Sequence, residues 1–142
     1  MSANNKATIE IVLDFVEHIN KHDVDAICGM VTDDHVFIDG LGERFIGKST
    51  LRDVWGAYFR WFPDYRISIE HVLYHGSTAG LYGYAEATYS ADGQVSALSE
   101  DYWKVPSAWR AVVRNGKVLE WRVYADNKPV YELLDAKRGG NA

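Results

Sequence analysis

Residues 115–126, NGKVLEWRVYAD, begin with a hairpin turn and continue as a strand. Asn115-Gly116 is a pair that favours a two-residue hairpin loop, because both residues tolerate positive φ. The strand is predicted over Val118–Ala125. On the other side of the turn, Val95–Val113 forms a long strand region interrupted at Pro106. Proline cannot donate to a strand ladder, so we expect a bulge or a sheet edge there.

More strands are predicted upstream of this hairpin. Apolar and polar residues alternate over 66–73, and 81–89 is rich in Tyr and Ala before the turn signal Ala91-Asp92-Gly93. A short alternating segment, Val36–Asp39, ends at a glycine-containing turn. Together these segments predict a sheet whose neighbouring strands are joined by hairpins.

Helices are predicted mainly before the strands. Residues 7–21 carry apolar side chains at helical spacing, and Asp23 can cap a second helix that runs to about Met30. A third helix is predicted over Ser49–Phe62, because Pro63 forces the residue before it out of the helical region. Residues 129–134 are predicted to form a closing helical turn.

This order of elements predicts an α+β fold within one domain, residues 1–142. We expect a curved antiparallel sheet that wraps around the N-terminal helices and the third helix as a cone closed at one end.

The composition excludes several functional classes. A net charge of −5 argues against nucleic-acid binding, which needs clustered Lys and Arg. The single cysteine, Cys28, allows no internal disulfide, and no segment is long and apolar enough to span a membrane. No pair of the five histidines has the i, i+4 zinc spacing with a glutamate between, and no glycine-rich nucleotide motif is present. We therefore expect a cytoplasmic protein without metal or cofactor.

Four segments, in this order and spacing, resemble the SnoaL-like group of the nuclear transport factor two-like superfamily. They are FVEHINKHDVDAICGMV (15–31), DDHVFIDGLGERFIG (33–47), FPD (62–64) and NGKVLEWRVYAD (115–126). This group includes ketosteroid isomerases, limonene epoxide hydrolases and polyketide cyclases. The resemblance implies a cystatin-like α+β roll with a ligand pocket, and it implies a homodimer formed through the outer sheet face near Arg110, Arg122 and Tyr124.

Asp39 is the first candidate catalytic residue. It ends the strand 36–39, on the same face as Phe37. The resemblance places it at the proton-shuttling carboxylate of the ketosteroid isomerases, and an apolar pocket would favour its role as a base. The alternative is a structural role, in which its side chain forms an Asx-turn at Gly40.

Glu86 is the second candidate. It shares one strand face with Tyr84 and Thr88, while small residues occupy the other face. The resemblance to the epoxide hydrolases places Glu86 at their pocket arginine and Thr88 at a catalytic aspartate, which favours an inward position for all three side chains. The alternative is a solvent-exposed glutamate on the outside of the sheet.

Some family residues are replaced in this chain. Val123 stands where the epoxide hydrolases, and the polyketide cyclases too, carry a final-strand acid, and Phe15 stands where ketosteroid isomerases carry an oxyanion-binding tyrosine. No acid stands near Ala108-Trp109, where those isomerases have a second one. Epoxide hydrolysis is therefore disfavoured. Of the catalytic groups of the ketosteroid isomerases, this chain keeps only the base, Asp39.

Aromatic residues make up 13% of the chain and are predicted to line a pocket. The predicted ligand-contacting residues are Phe15, Phe37, Trp55, Tyr58, Phe62, Tyr84, Thr88, Trp109, Trp121 and Val123. The alternative is that they form an ordinary aromatic core.

Three functions are compatible with these features. The first is a cofactor-independent isomerase or cyclase acting on an apolar cyclic carbonyl compound, with Asp39 as base and Glu86 as its partner. The second is a non-catalytic ligand-binding or accessory domain with the same pocket. The third is a partner-binding domain that uses the open sheet face.

Overall fold

The computed structural model describes residues 2–93 and 101–139, with side chains for residues 7–93 and 101–137. Four helices and six strands occur in these residues. They are α1 Ser2–Asn20, α2 Val24–Gly29, β1 Val31–Ile38, β2 Arg44–Ile46, α3 Lys48–Trp61, β3 Arg66–His75, β4 Thr78–Thr88, β5 Tyr102–Arg114, β6 Lys117–Ala125 and α4 Lys128–Gly139. The α+β fold class is confirmed.

The six strands form one curved sheet that does not close, in the order β2-β1-β6-β5-β4-β3. Four of the five strand pairs in the described residues are antiparallel, as predicted. The pair β1 and β6 departs from the expected antiparallel arrangement, because these two strands run parallel. These strands are far apart in the chain, so no hairpin dictates their relative direction.

Helix α1 packs across β3, β4, β5 and β6. Its apolar side chains Val12, Phe15, Val16 and Ile19 are buried in the same core as the inner face of the sheet. At its C-terminal end, the Asn20 amide oxygen accepts the Ile67 N–H at 2.8 Å, and its amide nitrogen donates to the Ile67 carbonyl at 2.9 Å. This pair of bonds extends the edge of β3 and fixes the helix on the sheet.

Local signals place α2 and α3 as predicted. The Asp23 side chain accepts the Ala26 N–H at 3.0 Å and so caps α2. Helix α3 ends at Trp61, followed by Phe62 and Pro63, in agreement with the predicted proline stop. This helix contacts α2, β1 and β2, and it therefore lies near the β2 end of the sheet.

The two signals in the C-terminal hairpin are confirmed. Asn115 and Gly116 have φ angles of 51° and 78°, as a two-residue hairpin requires. Pro106 pairs with Tyr84 of β4, whereas the pairing of β5 with β6 begins only at Ser107. Pro106 is therefore at an edge position, without a bulge. Residues 95–100 of the predicted strand region lie outside the described residues.

None of the helices in the described part of the chain is both long enough and apolar enough to cross a membrane.

His35 on β1 is fully buried. Its burial should make the free energy of unfolding of the protein depend on pH. Its Nδ1 donates to the Val118 carbonyl at 2.8 Å, and Nε2 has no partner among the described residues. Burial lowers the pKa of His35 and outweighs the opposing effects of that bond, of Glu120 and of Asp34. The unfolded chain therefore binds a proton more readily than the folded one as the pH falls below about 6.5.

The free energy of unfolding should consequently decrease below pH 6.5, by at most about 1.4 kcal/mol per pH unit for this one group. Urea unfolding at several pH values measures the slope. His35→Asn keeps a donor near the Nδ1 position and should reduce the slope, whereas His75→Gln, at an exposed position, should not. Equal slopes for His35→Asn and the native protein would contradict this assignment.

Candidate active site

A cavity of about 340 Å³ lies between the inner face of the sheet, α3 and α4. Its wall is predominantly aromatic, with side chains from β1, β2, α3, β5, β6, α4 and the segment after α3. The aromatic lining residues are Phe37, Phe45, Trp55, Tyr58, Trp61, Phe62, Tyr65, Trp103, Trp121 and Tyr131. Much of the predicted aromatic set lies in the wall of this cavity.

One side of the cavity, here called the rim, carries Asp39, Gly40, Asn127 and Tyr131. These residues are half-buried or exposed. The Asn127 amide packs so closely on Gly40 that a Cβ atom on Gly40 would lie 2.6 Å from Asn127 Nδ2. A glycine at position 40 therefore lets the segment after β6 approach the turn after β1. This contact brings Asn127 and the start of α4 next to Asp39.

The carboxylate of Asp39 is held by the turn that follows β1. Its Oδ1 accepts the N–H groups of Leu41 and Glu43 at 2.9 and 3.0 Å. The backbone of Asp39 also exchanges hydrogen bonds with Glu43 and Gly42, each at 3.0 Å. Oδ2 forms no hydrogen bond to the residues that the structure describes. The Asx-turn foreseen as the alternative is present, and it orients the same carboxylate that lines the cavity.

Tyr131 of α4 lies next to this carboxylate. Burial raises the pKa of Tyr131, and the negative charges of Asp39 and Glu43 raise it further. Tyr131 therefore stays a neutral hydroxyl at physiological pH, as a possible hydrogen-bond donor at the rim.

Tyr58 and Tyr65 form another polar pair in the cavity wall. Their rings meet edge to face, with centroids 4.9 Å apart. Burial raises the pKa of both, and for Tyr58 the neighbouring Tyr65 and Tyr131 add to the effect. Both hydroxyls therefore remain protonated donors.

The structure brings seven of the twelve predicted site residues to this cavity. They are Asp39, Phe37, Trp55, Tyr58, Phe62, Trp121 and Val123. Phe15 and Trp109 pack behind Trp121, with ring centroids 5.1 and 6.3 Å from it. These two buried rings support the wall and do not line the cavity.

The inward position expected for Tyr84, Glu86 and Thr88 is not what the structure shows. Side chains alternate along β4, and it is Ala85 that lines the cavity. Glu86 accepts a hydrogen bond from the Tyr102 hydroxyl. Lys104 Nζ lies 4.9 Å from the centre of the Tyr84 ring. The structure therefore does not bring Glu86 together with Asp39.

Thr88 is buried, but it is held outside the cavity wall. Its N–H and its Oγ1 donate to the two carboxylate oxygens of Asp64 at 2.7 and 2.8 Å. Asp64 directly follows Pro63, so this contact joins the end of β4 to the turn after α3.

Sequence reasoning missed several cavity residues, and some of them had a detectable signal. Trp103 lies on β5 with the same alternation as Val105, Ser107 and Trp109, so the period of two could have identified it. The α4 residues Val130, Tyr131 and Leu134 were predicted only as part of a closing turn. Helix α4 is longer than predicted, running to Gly139, because Val130, Leu133 and Leu134 pack on the core at helical spacing.

Within the described residues, no group of three or more His, Cys, Asp or Glu side chains could hold a metal ion. The polar side chains that line the cavity include the Asp39 carboxylate and the hydroxyl groups of Tyr58, Tyr65 and Tyr131.

Comparison with known proteins gives the same fold. A proposed polyketide cyclase from Xanthomonas campestris is 17% identical, with a TM-score of 0.79 over 92% of this chain and 98% of that one. A proposed SnoaL-like polyketide cyclase from Jannaschia sp. is 20% identical, with a TM-score of 0.75 over 92% of both chains. The epoxide hydrolase/cyclase-like enzyme SalBIII, of pyran ring formation in salinomycin, is 21% identical, with a TM-score of 0.73 over 85% and 92%. No curated protein sequence matches this chain significantly.

These identities are low, so the likeness of the structures establishes the fold and leaves the activity open. The sequence gives an independent result, because the family model of the SnoaL-like domain matches residues 12–121. This range includes Asp39, all of α3 and the strands up to Trp121, and so most of the cavity. The chain therefore belongs to the SnoaL-like domain family.

Proposed function

We infer that this protein binds a small apolar cyclic carbonyl compound, of polyketide, terpenoid or steroid-like type, and moves a proton on it without a cofactor. One observation carries the proposal: Asp39 lies at the rim of an aromatic cavity with one carboxylate oxygen held by backbone N–H groups and the other unbonded. This is the arrangement expected of a positioned general base.

The cavity suits such a ligand in size and in chemistry. Its volume of about 340 Å³ is at the lower end of the range for small-molecule sites, roughly 300–1,000 Å³. Flat apolar rings can pack against Trp55, Phe62 and Trp121. Few polar groups interrupt this wall, so the ligand would be oriented by its own few oxygen atoms.

The proposed chemistry needs a single carboxylate. Oδ2 of Asp39 would accept a proton from a carbon next to the ligand carbonyl, and the electron pair of that C–H bond would move onto the carbonyl oxygen to give an enolate. Return of the proton to a different carbon is an isomerisation. Attack of the enolate carbon on a second carbonyl of the same ligand, with the proton then passing to the new alkoxide, is a cyclisation.

Two observations support an isomerisation or a cyclisation: the absence of a carboxylate on the part of β6 that lines the cavity, and the related structures. Val123 and Ala125 of β6 line the cavity, so its final-strand wall offers no carboxylate to activate water for epoxide opening. The proteins of similar structure include proposed polyketide cyclases and a cyclase-like enzyme of pyran ring formation. An isomerase or a cyclase is therefore favoured over a hydrolase.

The test is exchange of ketone α-protons for deuterium. 2-Decalone and a set of bicyclic enones would be incubated in D₂O with the native protein, and their α-proton signals followed by NMR. Ligand binding is followed by tryptophan fluorescence, because Trp55, Trp61, Trp103 and Trp121 line the cavity. Exchange faster than in buffer supports the proposal, whereas tight binding of the whole set without exchange supports the non-catalytic ligand-binding alternative and overturns the catalytic one.

A homodimer in the cytoplasm is part of the same proposal. Tyr82, Ala108 and Tyr124 lie side by side across β4, β5 and β6, and the two tyrosines are 44% and 43% exposed. Such an aromatic row on the outer sheet face suits self-association. Light scattering should give twice the mass of one chain, and a monomer mass at micromolar concentration would contradict the dimer.

A further inference from the structure

Tyr58 and Tyr65 are two cavity residues whose hydroxyl groups have no partner in the chain as described. Both line the cavity, and Tyr65 is only 6% exposed. Neither hydroxyl forms a hydrogen bond with any residue in the ranges 2–93 and 101–139. Their rings are in edge-to-face contact at 4.9 Å, so the two groups belong to the same part of the wall.

The side chains that pack around Tyr58 and Tyr65 include several aromatic rings. The ring neighbours of Tyr58 include Trp55 and Phe62, and Trp103 lies next to Tyr65. Aromatic rings are poor acceptors compared with oxygen. Neither hydroxyl oxygen is among the fully buried polar atoms that lack a partner, so each is open to the cavity. Two such donors on one cavity wall are placed to meet an acceptor that comes from outside the chain.

The backbone around the pair is held firmly. The Phe62 N–H donates to the Tyr58 carbonyl at 2.9 Å, and the Tyr65 N–H donates to the Phe62 carbonyl at 3.0 Å. The His22 ring nitrogen Nε2 lies 2.8 Å from the Tyr65 carbonyl, and that ring stacks on Phe59 of α3. The turn at Pro63 thus returns Tyr65 against Tyr58, and little reordering would be needed when a ligand binds.

We propose that Tyr58 and Tyr65 together donate hydrogen bonds to a carbonyl oxygen of the ligand, and that this contact selects ketones and enones over hydrocarbons of the same shape. The inference rests on the ligand class proposed above, but it does not require catalysis. If Asp39 acts as a base, the same two donors stabilise the enolate oxygen that the reaction creates.

The protonation state of the pair agrees with this role. Since burial raises the pKa of each tyrosine, both hydroxyls stay neutral and able to donate through the physiological pH range. A cationic ligand would gain nothing from them as donors, whereas an oxygen with lone pairs can accept both bonds at once.

The experiment compares 2-decalone with decalin, which share a ring skeleton and differ in the carbonyl group. Binding is measured by tryptophan fluorescence, and the carbonyl stretch of bound 2-decalone by infrared difference spectroscopy. The variants are Tyr58→Phe and Tyr65→Phe. The matched control is Tyr89→Phe, because Tyr89 also lies near Phe62, at 6.3 Å between ring centroids, but does not line the cavity.

We expect the native protein to prefer the ketone and to lower its carbonyl frequency relative to an alkane solution. Each Phe variant should weaken 2-decalone binding by about 3- to 10-fold, the effect of one neutral hydrogen bond, and move the band back toward the alkane value. Affinity for decalin should not change, and Tyr89→Phe should behave as the native protein.

Three results would overturn the proposal. In the first, the native protein does not prefer the ketone, either because it binds both compounds equally or because it binds neither. In the second, the carbonyl band is not shifted. In the third, Tyr58→Phe and Tyr65→Phe bind 2-decalone as Tyr89→Phe does. Equal binding of both compounds would mean that water satisfies both hydroxyls. A shifted band without α-proton exchange would leave this inference standing and remove the catalytic function. Exchange of α-protons with no effect of Tyr58→Phe or Tyr65→Phe would leave the catalytic function standing and remove this inference.

Discussion

Replacing Asp39 by asparagine is expected to slow deuterium exchange of a bound ketone by about 10²- to 10⁴-fold, the usual contribution of one positioned general base. The amide oxygen of asparagine can still accept the N–H groups of Leu41 and Glu43, so the turn after β1 should persist. The amide nitrogen, however, replaces the unbonded carboxylate oxygen and cannot accept a proton. The exchange rate from NMR and the melting temperature should therefore respond differently, with the first falling and the second nearly constant.

Two further variants separate the base from the turn. Asp39→Ala loses both turn bonds and should lower the melting temperature as well as the exchange rate. Glu43→Gln changes a carboxylate in the same turn that is exposed and does not line the cavity, and it should exchange at the native rate. Native exchange by Asp39→Asn would show that another group is the base. An equal loss in Glu43→Gln would attribute the effect to the turn.

Replacing Gly83 by alanine is expected to destabilise the fold by about 3 kcal/mol or more, the upper end of the cost of inserting atoms into a packed site. Gly83 on β4 pairs with Ile69 on β3, just before the register shift between Ile69 and His71. A Cβ atom at position 83 would lie 1.8 Å from the Ser68 carbonyl oxygen and 3.1 Å from Ile69 Cα. Both neighbours are backbone, so β3 itself would have to move away. Urea unfolding followed by tryptophan fluorescence measures the loss.

Gly56→Ala is the matched control for this variant. Gly56 lies inside α3, and the nearest heavy atom to an added Cβ is Arg60 Nη1, the flexible end of a side chain, at 4.0 Å. Alanine is the better helix former, so this variant should stabilise the protein by about 0.5–1 kcal/mol. If Gly83→Ala were as stable as the native protein, the close approach of β3 to β4 described here would be wrong.

The substitutions Asp39→Asn and Gly83→Ala test two residues whose roles the sequence indicated only in part. The glycine at 83 gave no signal beyond a small residue in a strand, because its role depends on how closely β3 approaches. Asp39 was identified because it ends an alternating strand before a glycine turn, and because the SnoaL-like resemblance places a functional acid there. Two interpretations were offered for it, a turn residue and a pocket residue; the structure shows the turn bonds of Oδ1 in a residue that also lines the cavity.

Glu86 shows where the sequence pattern was insufficient. The alternation in β4 correctly divided Tyr84, Glu86 and Thr88 from Gly83, Ala85 and Ala87, but it could not say which group faces inward. The structure puts the small residues inside, and Ala85 shares the cavity wall with aromatic rings of α3, β5 and β6. The outward face is then left to Tyr84 and Glu86, and Glu86 bonds to Tyr102 there.

Local spacing was enough to predict the first three helices, the cap at Asp23, the stop at Pro63 and the hairpin at Asn115-Gly116, because each depends on residues within a few positions of one another. The parallel pairing of β1 with β6, the packing of α4 on the cavity and the contact of Tyr58 with Tyr65 became visible only in the folded chain. The first two join segments widely separated in sequence, and the third depends on how the chain turns back after α3. No local period encodes such contacts, because each depends on where the folded chain places segments that have no local signal for one another.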